Sequence, residues 1–155
     1  MLRALLLVAA ALSPLPAIAA PAVNTPISPL KQLRSQPGTD SENQLTLLLV
    51  SRADCPYCDF VREEVLTPLL RSDIFGTQLR IRELKIDQEQ TVTDAKGIQL
   101  SNRAFAQRYK ATFTPTLLLL DNKGSSLAKP VVGVANRDMY GFYVERNIRN
   151  ALHDQ

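Results

Sequence analysis

Two thiols stand three positions apart in "SRADCPYCDF", residues 51–60, and Cys55 and Cys58 are the only cysteines in the chain. A thiolate attacks a disulfide, and a second thiol within reach then resolves the mixed disulfide that forms. A purely structural bridge is poorly served by such spacing. Closing a four-residue loop is worth only about 2 kcal/mol in the chain-entropy account, against about 3 for fifteen residues. Two thiolates also make half of a zinc site, but the other ligands would have to come from His153, the single histidine, and from carboxylates. Covalent haem attachment needs a histidine directly after the second cysteine, where Asp59 stands. A Cu(I)-carrying pair stays open, although Met139 is far off in sequence.

The elements around the pair favour redox chemistry. "QLTLLLVSR", residues 44–52, is an apolar run too short for a helix and predicts a strand buried on both faces. After the pair, Val61, Val65, Leu66, Leu69 and Leu70 recur at helical spacing to about Arg71, with Pro68 set to kink or end the regular part. Cys55 then falls at or just before the first turn, where unpaired N–H groups and the helix dipole favour a negative sulfur. Pro56 suits the first helical position. Cys58, one turn in, lies behind Cys55. Cys55 is therefore read as the attacking thiol and Cys58 as the resolving one.

Further along, "LRIRELKID" (79–87) predicts a strand with a phase slip near Glu83, and "SNRAFAQRYK" a helix capped by Ser101. "TPTLLLLDNKG" and "KPVVGVAN" predict two more strands, close enough for a hairpin. Tyr140, Tyr143, Val144, Ile148 and Leu152 mark one face of a closing helix. The order (α)βαβαββα is that of an α/β domain with a central four-stranded mixed sheet flanked by helices; helices between strands imply parallel crossovers. A short helix is expected within "SPLKQLRSQ", Ser28 capping and Pro29 in its first turn.

The 155 residues suffice for one packed domain. Residues 1–19 read as a signal peptide: Arg3, an apolar stretch from Ala4 to Leu12, prolines at 14 and 16, and Ala17-Ile18-Ala19 before the cut. An uncleaved anchor is the alternative, although the stretch is short for a membrane span. Residues 20–43 read as a flexible tail or the short helix, and 44–155 as the domain. Without residues 1–19 the chain has 17 basic and 15 acidic residues, net +2, and the basic residues are interleaved with acids. This is no electrostatic case for nucleic acid.

"CPYC" after an apolar strand, "ELKIDQE" as the next strand and "TFTPTLLLLDNKG" beyond it resemble the thioredoxin superfamily over residues 44–152. The most specific parts are Cys55-Pro56-Tyr57-Cys58 and Thr114-Pro115-Thr116. The stretches "CDFVREEVLTPLL" and "LLLLDNKGSSLAKPVVGV" look most like periplasmic thioredoxin-related proteins of the SoxW-like kind. The resemblance implies a thioredoxin-like fold and a cis Thr114–Pro115 bond against the cysteines. It also implies that Pro56, Tyr57, Thr114 and Pro115 meet the substrate, with the Thr114 backbone pairing an extended segment. The alternative for Pro115 is a proline that merely starts a strand.

Two departures stand out. Asp54 precedes the first cysteine where thioredoxins usually carry tryptophan, and a flanking carboxylate opposes thiolate formation unless it points to water. Leu49 occupies the place of the family's buried aspartate, six residues before the first cysteine. Glu83, where the family often has lysine, is the candidate proton acceptor for Cys58 if it is half-buried with a raised pKa; a solvated strand face is the alternative. Asp87 reads as a strand-end residue.

The expectation is a periplasmic thiol–disulfide oxidoreductase, leaning to reductase because Thr114 before the proline resembles exported reductases and isomerases more than strong oxidants. It would exchange disulfides with client proteins bearing disulfides or thiols, be recharged by a membrane electron donor, and need no cofactor. The competing reading is a thioredoxin-like binding or copper-carrier module without turnover. A peroxidase using Cys55 is a third, without a recognisable arginine-and-threonine constellation.

Overall fold

The computed structural model describes residues 26–34 and 44–154. The expected signal peptide and most of the 20–43 segment lie outside these residues.

β1 (Leu45–Ser51) is the centre of the sheet, and all seven of its residues are buried. It pairs in parallel with β2 (Leu79–Lys85) and antiparallel with β5 (Thr116–Leu120), which pairs antiparallel with β6 (Val131–Val132). The order β2-β1-β5-β6 is a four-stranded mixed sheet. Alternate side chains of β1 feed two cores. Leu45, Leu47 and Leu49 pack with Val61, Leu66, Tyr140, Val144 and Ile148 on one face. Leu48 and Val50 pack with Leu84, Phe105, Ala106 and Leu118 on the other. An apolar residue at nearly every position of β1 is what two covered faces require.

The helical run after the cysteines has three parts: α1 (Pro56–Phe60), a π-helical segment (Val61–Leu66) and α2 (Thr67–Ser72). Pro68 cannot donate a helical hydrogen bond, and the widened turn absorbs that loss. The backbone N–H of Thr67 reaches the Arg62 carbonyl five residues back, and its hydroxyl donates to the same oxygen at 2.8 Å. The rod persists past the proline to Ser72.

α3 (Asn102–Arg108) is capped by Ser101, whose hydroxyl accepts from Ala104 N–H. Before it comes a hairpin absent from the expected order, β3 (Thr91–Thr93) with β4 (Gln99–Ser101). The strand directions also differ from the expectation: β1 is parallel to β2 and antiparallel to β5. α3 has seven residues, about 10 Å of helix, against roughly 23 Å for seven-residue β2. The connection does not traverse the sheet, so β5 starts at the end where β2 finished and runs back. The parallel crossover expected between β2 and β5 is thereby corrected.

Residues 26–34 are not helical either. Leu30 N–H donates to the Glu83 carbonyl at 2.8 Å, Glu83 N–H to the Ser28 carbonyl at 3.1 Å, and Leu33 N–H to the Thr93 carbonyl at 2.9 Å. The strap runs from the outer edge of β2 onto β3 and buries Ile27, Leu30 and Leu33. Edge pairing and burial override the local Ser-Pro helix-start signal. α4 (Arg137–His153), capped by Asn136, closes the first core with Tyr140, Val144, Ile148 and Ala151. Tyr143, expected on that face, is 40% exposed beneath the Arg146 guanidinium.

Candidate active site: a disulfide at a helix start

β1 ends at Ser51, and five residues later the chain enters α1 at Pro56, in its first turn. The short loop between is set by two contacts. Ile86 N–H donates to the Ser51 carbonyl, and Ala53 N–H donates to Asp87 Oδ2 at 2.7 Å. Asp87 thus sits just past the strand end, as expected, and also braces the loop carrying the cysteines. Asp54 takes a left-handed turn (φ 49°) and is exposed, so its carboxylate faces water.

Cys55 is the cap of α1, its sulfur accepting from Cys58 N–H at 3.3 Å. The two cysteines are joined as a disulfide with Cα atoms 5.2 Å apart. Cys55 is 7% exposed and Cys58 fully buried. Only the first sulfur has a path to solvent. Pro56 and Tyr57 between them are exposed.

Thr114 and Pro115 come from the loop before β5, some sixty residues away, and their peptide bond is cis. Thr114 Oγ1 lies 3.7 Å from Cys55 Sγ. The disulfide sulfur carries no hydrogen, so the hydroxyl is the donor. Pro115 is buried and its carbonyl accepts from Gly133 N–H. Among the described residues, no backbone hydrogen bond engages the N–H or C=O of Thr114. A half-buried backbone with both groups open suits an incoming extended segment.

Glu83 lies opposite Leu49 in the β1–β2 register. It is buried, which removes the solvated-face alternative, but it is no free carboxyl. Oε1 accepts from the Ser51 hydroxyl at 2.6 Å and from Arg62 Nη2 at 2.7 Å, and Oε2 accepts from Arg62 Nε at 3.2 Å. Arg62 also donates to Asp59 at 2.6 Å. The hydrogen bond to Glu83, assisted by Asp59, outweighs burial and holds the guanidinium well above the ordinary arginine range. Glu83, expected as a half-buried acid, is thus one half of a buried ion pair with Arg62. Arg62 and Ser51 are the residues that sequence reasoning missed. The Asp59–Arg62 half, at i and i+3, was readable as a helix-surface pair. The half reaching Glu83, 21 positions away, was not.

A four-stranded mixed sheet between helices, with two bonded cysteines at a helix start and a cis-proline loop beside them, is built for thiol–disulfide redox chemistry. Residues 38–144 match the thioredoxin-like domain family, and the chain belongs to that family. Solved structures agree on the fold. A thioredoxin-fold protein from Helicobacter pylori superposes with a TM-score of 0.51 at 17% identity, over 75% of this chain and 89% of that one. The oxidised form of mitochondrial thioredoxin 3 from Saccharomyces cerevisiae gives 0.52 at 16% identity, over 80% and 94%. No curated protein matches the chain.

Proposed function

We propose that this protein is an exported, periplasmic thiol–disulfide oxidoreductase working mainly as a reductase of client proteins. The observation that carries the reading is the asymmetry of the pair. Cys55 Sγ meets Cys58 N–H and the Thr114 hydroxyl beside the open loop backbone of Thr114, while Cys58 is sealed beneath it.

In the reduced protein the Cys55 thiolate attacks one sulfur of a client disulfide and the other client sulfur leaves as a thiolate. The Cys58 thiolate then attacks Cys55 Sγ, forming the Cys55–Cys58 bond and releasing the second client thiolate. Two electrons pass from the dithiol to the client, and the two thiol protons end on the client sulfurs. Regeneration needs an external dithiol donor, which we assign to a membrane protein of a thiol-reducing pathway. The leader-like residues 1–19 support export. Thr114 before the proline supports the reductive direction.

The copper-carrier alternative has less support. It needs both sulfurs as free thiolates, whereas the pair is joined as a disulfide.

Insulin reduction with dithiothreitol, run alongside metal analysis of the purified protein, tests the function. Turnover supports the oxidoreductase, and stoichiometric copper without thiol exchange supports the carrier. Glutathione equilibration tests direction: a potential near about −270 mV supports a reductase, and one near about −120 mV an oxidant.

A further inference from the structure

Beside the disulfide lies an open cleft of about 290 Å³ whose walls include Arg52, Asp87, Arg103, Thr112, Phe113 and Thr114. It adjoins the reacting sulfur through Thr114, whose hydroxyl touches Cys55, and through Arg52, three residues before that cysteine. Two guanidiniums and one carboxylate face it. Asp87 Oδ2 accepts from Ala53 N–H and keeps its charge, so two guanidiniums against one carboxylate leave the cleft lining net positive. Arg52 and Arg103 are exposed, and among the described residues neither guanidinium makes a hydrogen bond or an ion pair. Arg62, which does not line the cleft, is by contrast committed to Glu83 and Asp59.

The rim has its own chemistry. Phe113 is 73% exposed and Tyr57 55% exposed, one on the cis-proline loop and one between the cysteines. An extended segment pairing with the open Thr114 backbone would lie between these rings. Successive side chains of such a segment point to opposite faces. Those on the Phe113 side enter the cleft where the two unpaired arginines wait.

We infer that the Arg52–Arg103 cleft is a specificity subsite for client segments carrying a carboxylate within one or two residues of the reactive cysteine. This rests on the oxidoreductase reading and deepens it: the preferred clients are acidic extended segments held over Cys55. An aspartate or glutamate there meets two guanidiniums in a planar donor geometry suited to carboxylates. Both contacts are partly exposed, so the preference is modest and falls with added salt.

The test uses the reduced full chain and a set of two-cysteine peptide disulfides, identical except for Glu, Gln or Lys beside the first cysteine. Second-order rate constants are measured for each. The Cys55–Cys58 dithiol is oxidised to its disulfide as each peptide disulfide is reduced to two thiols. The Glu peptide is expected to react about fivefold faster than the Gln peptide, the product of two exposed charge contacts. The Lys peptide is expected to be slower than both. In the Arg52→Gln, Arg103→Gln double variant the Glu-to-Gln ratio is expected to fall to about one, and Arg146→Gln on α4 is expected to keep it. Equal rates for all peptides in the wild type overturn the subsite while leaving the oxidoreductase standing. A Glu preference that survives the double variant overturns it as well, by placing the charge elsewhere. Failure of every peptide to be reduced overturns the oxidoreductase reading itself and the subsite with it.

Discussion

Thr114 Oγ1 stands 3.7 Å from Cys55 Sγ, so a hydroxyl from the loop before β5 caps the one sulfur with access to solvent. Once the disulfide opens, this donor and the Cys58 N–H can both stabilise a thiolate on Cys55. Thr114→Val keeps the shape and removes the donor. A hydrogen bond to a charged group is worth roughly 1.5 kcal/mol or more, about one pKa unit. The Cys55 pKa of the variant is therefore expected to rise by about one unit, read from the pH dependence of alkylation of the reduced protein. An unchanged profile would show that the hydroxyl does not serve the sulfur.

Arg62 and Glu83 form a largely buried pair, their side chains 22% and 7% exposed. Arg62→Met leaves Glu83 with only the Ser51 hydroxyl as a side-chain partner. Breaking such a pair costs about 3 kcal/mol, whereas replacing both partners by apolar groups is nearly neutral. Chemical denaturation is expected to show that loss for Arg62→Met and most of it recovered in Arg62→Met, Glu83→Leu. If the double variant still reduces insulin at the wild-type rate, Glu83 is a structural partner and not the proton acceptor for Cys58. A large loss of its resolving step, with stability restored, would return Glu83 to that role.

Asp94 gives the fold a pH dependence with a fixed sign. Burial pushes its carboxyl up, but the N–H groups of Ile98 and Lys96 and the Arg108 guanidinium together hold it below the ordinary value of 3.8. A depressed native pKa means that the stabilisation is complete above pH 3.8 and is lost as pH falls through the native value. Thermal unfolding of the wild type and Asp94→Asn is expected to differ at neutral pH and to converge in strong acid. A gap that stays constant down to pH 2 would contradict this.

Tyr140 is a core residue with a polar atom out of place. Among the described residues its hydroxyl has no hydrogen-bond partner, and burial pushes the phenol up to about 12. Its ring meets Phe60 edge-on, an arrangement that phenylalanine preserves. Tyr140→Phe is expected to raise the unfolding free energy by about 1 kcal/mol. A loss of similar size would mean that the hydroxyl has a partner after all.

Where burial on two faces dictated composition, the sequence was legible. "LTLLLVS" and "TLLLL" each form a fully buried strand, and Ser101 and the spacing of Tyr140, Val144 and Ile148 fixed α3 and α4. Where pairing is short or distant, it was not. The strands Thr91–Thr93 and Gln99–Ser101 are too brief to show alternation, though Asp94 accepting two turn N–H groups and Gly97 at φ 82° hold their turn. Ser28 and Pro29 suit a helix start in isolation, and pairing with β2 at Glu83 and β3 at Thr93, more than fifty residues away, draws that strap into extended form. At the site, local spacing placed Cys55 and Pro56 at a helix start and Cys58 one turn in, as the structure has them. The pairing of Glu83 with Arg62 depends on the β1–β2 register, which side-chain patterning does not specify.

The division of labour between the two sulfurs is tested most directly by trapping. The full chain with Cys58→Ser, incubated with oxidised insulin, is expected to accumulate a covalent complex through Cys55, visible by non-reducing electrophoresis and released by dithiothreitol. Cys55→Ser is expected to form none, because Cys58 is sealed from solvent. Complex formation by Cys55→Ser at a comparable rate, or by neither variant, would contradict the assignment.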